Sequence, residues 1–202
     1  MALTPADITT FHSDDPPPGK DPWVDGAAPE TGIAVVAPGS DWPAQFAWLA
    51  QRIRGALGMR ALDVEHVGST AVPGLPAKPV IDIDLTVADP SAEAEWLPPL
   101  EAAGFTLAIR EPWWYEHRCL RHRDPRCNLH VFAPGTPELL RHKLFRDWLR
   151  QTPEDLAAYR DAKLAAADAA NTAGEHVMEY NARKQAVVRE IYGRAFRAAG
   201  LT

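Results

Sequence analysis

Residues 65–87, EHVGSTAVPGLPAKPVIDIDLTV, place a Gly-Ser pair twelve residues (70–81) ahead of an Asp-x-Asp. Successive side chains of a β-strand alternate between its faces. In VIDIDLTV, Ile81, Ile83 and Leu85 therefore share one face, and Asp82, Asp84 and Thr86 the other. Two carboxylates about 6–7 Å apart at their Cα atoms repel one another when bare, and a divalent cation between them removes the repulsion. Carboxylate oxygens suit hard cations such as Mg²⁺. With two metals such a pair serves in-line phosphoryl or nucleotidyl displacement. Gly68 lets the backbone approach a phosphate closely. Ser69, with Thr70 after it, can cap a short turn and offer backbone N–H groups to an anion. Alone, either feature is more often a solvated strand face or an ordinary turn; their joint spacing in apolar surroundings is what makes them specific.

Other residues could complete such a site. In Cys127-Asn128-Leu129-His130-Val131-Phe132, alternation sets His130 opposite Leu129 and Val131. An ordinary imidazole pKa near 6.5 allows His130 to act as a base at neutral pH. If its strand neighbours the Asp strand, two carboxylates should raise that pKa. A nucleoside triphosphate brings about three to four negative charges, which guanidinium forks suit. Arg118 and Arg121, in a cluster with Arg110, Arg123 and Arg126, are the candidates, against the plainer reading of a solvated hairpin rim. Lys78, before the Asp strand, and Lys184, near the C-terminus, are further phosphate candidates. Trp113-Trp114-Tyr115 could stack a base, although aromatic triplets more often pack in cores. Cys119 and Cys127 read as small apolar residues.

These residues need a scaffold. GIAVVAP (32–38) reads as a short strand, and Ser40 or Asp41 can cap a helix running to about Leu57 on Trp42, Phe46, Leu49, Ile53 and Leu57. Segments 61–67 and 80–87 read as strands. Pro90 to Gly104 reads as a helix blemished by Pro98-Pro99, and YEHRCLRH with RCNLHVF as a hairpin around Arg123-Asp124-Pro125. Helices are expected over roughly 137–150, 154–171 and 175–198. The fold class is therefore α/β (α+β): a mixed sheet with flanking helices and a helical C-terminal part. Residues 1–31, with six of the nineteen prolines and no periodicity, read as a flexible acidic extension on a 32–202 domain. The alternative is an ordered arm that docks Phe11 and Trp23.

The joint pattern resembles the nucleotidyltransferase superfamily signature, a Gly-Ser turn followed by an acid-x-acid strand. HVGSTAVPGLPAKPVIDI resembles more closely the GrpB family, as do DWP at 41–43, NLHVF, KLFRDWLR and two Tyr-x-x-x-Lys patterns, Tyr159/Lys163 and Tyr180/Lys184. The resemblance covers about residues 32–198. It implies a nucleotidyltransferase-like fold and, as an activity, Mg²⁺-dependent transfer of a nucleoside monophosphate to a small-molecule acceptor. Asp82 and Asp84 would hold metal, and Gly68, Ser69, Thr70, Lys78, Arg118, Arg121 and Lys184 would hold nucleotide. His130 would stand where a third carboxylate is usual, as ligand or base. The alternative implied is a catalytically weak nucleotide-binding or folding-assistant domain, like the one fused behind dephospho-coenzyme A kinase.

Composition bounds the rest. The net charge is −6, but residues 1–30 carry −5 of it and the body only −1. Without a long basic stripe, nucleic acid is not the expected partner. No run of about 18 apolar residues spans a bilayer. The N-terminal stretch lacks the basic and apolar regions of a signal peptide, and two cysteines make no disulfide framework. A cytoplasmic location is the default expectation.

Overall fold

A computed structural model describes residues 3–13 and 15–202; Met1, Ala2 and Asp14, part of the expected extension, lie outside the described residues. Five strands form one mixed sheet: β1 (Asp63–Val67), β2 (Ile81–Thr86), β3 (Phe105–Glu111), β4 (His117–His122) and β5 (Cys127–Phe132). Their spatial order is β1-β2-β5-β4-β3. β2 and β5 run parallel, and every other neighbouring pair is antiparallel.

Strand alternation sorts the sheet into two faces. Ile81, Ile83, Leu85, Leu129, Val131 and Leu120 point to one side, where α2 (Trp42–Leu57) and α3 (Glu93–Ala102) cover them. Leu49, Ile53 and Leu57 of α2 are fully or almost fully buried there, as the helical spacing requires. Pro98 and Pro99 lie inside α3 without ending it; Trp96 and Leu100, both buried, hold that helix to the sheet. The opposite face is polar, and α4 (Pro137–Gln151), α5 (Pro153–Ala173) and α6 (Val177–Ala198) stand over it. Arg146 of α4 fixes this layer by donating to Glu65 Oε2 and to the His66 carbonyl on β1, at 2.9 and 2.8 Å.

Two expectations are corrected. GIAVVAP forms no strand: Val36 makes an isolated bridge to Ala77. Ile33 is held instead by the Asn171 side chain, which binds both its N–H and its carbonyl. β3 was not expected; a register irregularity between Leu107 and Ile109 blurs its alternation.

The N-terminal arm is not a solvated tail. Its short helix α1 (Pro5–Thr9) starts on a Thr4 capping box closed by Asp7. Ile8 is buried against Tyr192 and Phe196, and the Phe11 ring lies 5.1 Å from that of Tyr192. Arg141, with no solvent exposure, donates to the carbonyls of Asp7, Ile8 and Thr10 and pairs with Glu138. Further along, Val24 N–H donates to the Ala108 carbonyl and Arg110 N–H to that of Pro22. The arm thereby covers the edge of β3. Isolated anchors and backbone pairing dock it, and neither leaves a periodic pattern in the sequence.

Candidate functional site

Gly68 closes β1 and turns the chain toward β2. Its φ of +67° favours glycine, and a Cβ here would stand 2.5 Å from Asp82 Oδ2. Backbone and carboxylate are thus packed as closely as the chain permits. Ser69 opens the 3-10 turn Ser69–Ala71 and lines the cavity described below. Thr70 does not line it. It is buried, and its hydroxyl donates to the Val80 carbonyl at 3.4 Å while His66 Nε2 approaches it at 3.0 Å. With its one proton spent on Val80, the hydroxyl accepts from His66. Burial first, with Arg150 and Arg146 adding to it, holds the His66 pKa down at about 4, against the pull of Asp82. Thr70 is therefore a tie between β1 and β2 rather than a phosphate contact.

The two aspartates share a face as expected, and they are not bare. Asp82, opposite Asn128 in the parallel register, accepts a hydrogen bond from its Nδ2 at 2.9 Å. Asp84 is 1% exposed and meets His142 Nδ1 with both oxygens, at 2.9 and 3.1 Å. Burial works against a charge on His142. Asp84, by charge and hydrogen bond, and Glu138 outweigh it and raise the pKa to about 9. An imidazolium from α4 thus stands against Asp84, where the sequence reading expected a metal.

His130 faces the same side of the sheet, paired in register with Asp84. Its Nδ1 lies 3.1 Å from His117 Nε2, and His117 Nδ1 lies 2.6 Å from Glu111 Oε2. If Glu111 accepts, His117 Nε2 carries the lone pair and His130 Nδ1 the proton. That leaves His130 Nε2 as an acceptor. The expectation of a raised His130 pKa is corrected: burial, then His117, lowers it to about 4, and the two aspartates do not overcome this. Burial also lifts Glu111 to about 7.

Asp82, Glu111, His117, His130 and His142 line a cavity of about 400 Å³ between the sheet and the last two helices, whereas Asp84 lies behind His142 and does not line it. Lys78, Lys163 and Lys184 line it too, with Tyr159 and Tyr180. Trp23 of the arm lines it too, and the Arg121 guanidinium lies 5.4 Å from its ring centroid. A smaller cavity of about 190 Å³ adjoins at Ser69, His142 and Tyr159. Gly68, Ser69, Lys78, Asp82, Arg121, His130 and Lys184 are thus brought together.

Arg118 is not among them. Alternation along β4 turns it to the α3 side, where it is buried and donates to Glu93 Oε1 at 2.5 Å. Arg110 binds the same carboxylate and Arg126 pairs with Glu30, so much of the arginine cluster is structural. Trp114 lies at the cavity beside His117 and Phe132. The cysteines are buried, and burial pushes the Cys119 thiol up to about 12.

Sequence reasoning gave no role to His142 or Glu111 and noted Lys163 only within a Tyr-x-x-x-Lys pattern. The available signals were the Glu138/His142 and Tyr159/Lys163 spacings, four residues apart on helices.

A Mg²⁺ ion accompanying phosphates usually keeps several waters and takes one or two protein carboxylates. Asp82, half-buried at the cavity, fits that requirement. Asp84 fits only if His142 leaves it. Among the described residues no cluster of three His, Cys, Asp or Glu is arranged to hold a metal by itself. Of the two aspartates, Asp82 is therefore the one that would hold such an ion.

A family model described as GrpB protein matches residues 32–194. A UPF0157 protein of Halalkalibacterium halodurans is 48% identical over 154 residues, 76% of this chain and 77% of that protein. A dephospho-CoA kinase of Mycolicibacterium paratuberculosis is 36% identical over 190 residues, which cover 81% of this chain and 46% of the kinase. The crystal structure of the conserved protein GrpB from Enterococcus faecalis superposes with a TM-score of 0.72 at 30% identity, over 82% of this chain and 99% of that one. No helix among the described residues is long and apolar enough to cross a membrane. The chain belongs to the GrpB family.

Proposed function

We propose that this GrpB-family protein binds a Mg²⁺–nucleoside triphosphate in the cavity and transfers the nucleoside monophosphate to the hydroxyl of a small acceptor. The observation that carries this reading is the Gly68–Ser69 turn packed directly on Asp82 in a cavity that Lys78 and Lys184 also line. Ser69 and the lysines hold phosphate, and Asp82 anchors the ion that travels with it. Mg²⁺ supplies charge neutralisation at the phosphates. His130 Nε2 takes the proton of the attacking hydroxyl. Its Nδ1 proton passes to His117 Nε2, and the His117 Nδ1 proton to Glu111, whose pKa burial raises to about 7. The acceptor oxygen bonds to the α-phosphorus as pyrophosphate leaves.

The test is pyrophosphate release from each of the four ribonucleoside triphosphates with Mg²⁺ and a panel of hydroxyl acceptors that includes dephospho-CoA. His130→Ala should cut the rate by about 10²–10⁴, and Asp82→Asn should abolish Mg²⁺-dependent nucleotide binding in calorimetry. Failure of the wild type to bind any of the four would refute the reading. A second reading, a nucleotide-binding domain without transfer, is favoured by the His142 contact that ties up Asp84. Binding without pyrophosphate release would establish it.

A further inference from the structure

Lys163 sits on α5 one turn before Ala166 and Ala167, which pack inward, and is itself only 2% exposed. Its Nζ has no hydrogen-bond partner. The contact it does make is with the Tyr159 ring, 5.1 Å from Nζ. Lys184 of α6 approaches the same ring at 6.0 Å and that of Tyr180 at 5.0 Å. Lys78 faces this space from the loop before β2, and all three lysines line the cavity.

A buried ammonium without a hydrogen-bonded partner is strongly disfavoured. Here two further cations lie close enough to push against it, and only Asp82 pulls the other way. The fold does not need this charge. A methionine of similar length would fill the same helix face and leave no unsatisfied donor. The tyrosine rings stand beside the ammonium nitrogens, and ring contact supplies only part of what a hydrogen-bonded anion would. Compact ammonium groups with three rotatable donors each suit a flexible chain of phosphates better than one planar carboxylate.

We propose that Lys78, Lys163 and Lys184 form a site for a polyphosphate chain, with Lys163 as its innermost contact. This deepens the nucleotide reading and rests on it for the source of the chain, the triphosphate tail whose outer two phosphates leave as pyrophosphate. Asp82 lines the same cavity and is close enough to act on Lys78 and Lys163, so a cation on the tail would be held there.

The test is calorimetric titration of the full chain with inorganic tripolyphosphate, without metal, in wild type, K163M and K184M. K163M should weaken binding at least tenfold and K184M less. K163M should also raise the melting temperature of the ligand-free protein by ~2–4 °C, because it removes a buried amine with no hydrogen-bond partner, and shrink the melting shift caused by tripolyphosphate. A structural lysine would do the opposite, so a lower ligand-free melting temperature, or affinity within twofold of wild type, overturns the proposal. So does an absence of tripolyphosphate binding to the wild type. A parallel titration with nucleoside triphosphate separates the two readings. Tripolyphosphate binding that depends on Lys163, with no nucleotide bound, keeps the lysine site and removes the nucleotide. Nucleotide bound equally by wild type and K163M removes the lysine site and keeps the nucleotide.

Discussion

Replacing His142 with Gln tests whether an imidazolium holds Asp84. Gln keeps a donor near the carboxylate and removes the charge. In the folded protein His142 titrates at about 9, against an ordinary 6.5. Folding therefore favours the protonated ring. The stabilisation is fully present below pH 6.5 and is lost as pH rises through about 9. The difference corresponds to roughly 3 kcal/mol, an upper figure, since the His142 side chain is 28% exposed and solvent screens part of the attraction. Breaking a buried pair by removing one partner typically costs about 3–5 kcal/mol, which agrees.

The wild-type pH profile alone would mislead. Burial, then Lys184, lowers Lys163 to about 7, so the unfolded chain binds more protons there, and that contribution rises with pH over the window in which the His142 contribution falls. The two slopes oppose. The informative quantity is the stability of wild type minus that of His142→Gln, from urea denaturation at intervals between pH 6 and pH 10, because Lys163 is common to both. That difference should be about 3 kcal/mol at pH 6 and shrink toward its uncharged remainder by pH 10. A difference that stays flat, or grows with pH, would refute the ion pair and return Asp84 to the role of a metal ligand in waiting.

Two further outcomes follow from the geometry. Arg141→Met removes the donors to three arm carbonyls and leaves Glu138 with only the more distant His142, at 3.8 Å; the melting temperature should fall by ~8 °C or more, and limited proteolysis should cut within residues 3–30 faster than in wild type. Gly68→Ala sets a methyl group 2.5 Å from Asp82 Oδ2 at a backbone φ of +67°, so Mg²⁺–nucleotide affinity measured by calorimetry should fall at least tenfold, while an unchanged affinity would show that the turn has no part in binding.

The central motif was legible because strand period and turn chemistry are local. Alternation in VIDIDLTV and RCNLHVF placed Asp82, Asp84 and His130 on one face, and the register of β2 with β5 agrees. The same rule, applied to β4, separates Arg118 from Arg121, since odd and even positions face opposite layers. What could not be read was the partner that each side chain meets across layers. The C-terminal helices were expected near their observed bounds, yet nothing in their period says that α4 carries His142 to Asp84 or that α5 lowers Lys163 into a cavity. The docked arm was only the alternative reading, on Phe11 and Trp23, for a related reason: its anchors, Ile8 among them, are single residues whose sockets are built by distant segments.

Net charge was the least informative number, and the reason is where the charges sit. Asp7, Asp15, Asp21 and Asp25 are exposed on the arm, where salt screens them beyond about 8–10 Å. At the cavity the balance is reversed. Asp84, behind its wall, is matched by His142, and Asp82 is partly engaged by Asn128. Lys163 has no such match among its hydrogen bonds, and Lys78 and Lys184 stand beside it. Low local dielectric strengthens each of these charges relative to those on the arm. A chain of net charge −6 can therefore present a cationic interior to a ligand, because its acids are either neutralised where they are buried or exposed where they are screened. Burial holds the Lys163 pKa down at about 7, so the ammonium is only partly formed near neutral pH, and an anion seated beside it would favour the charged form.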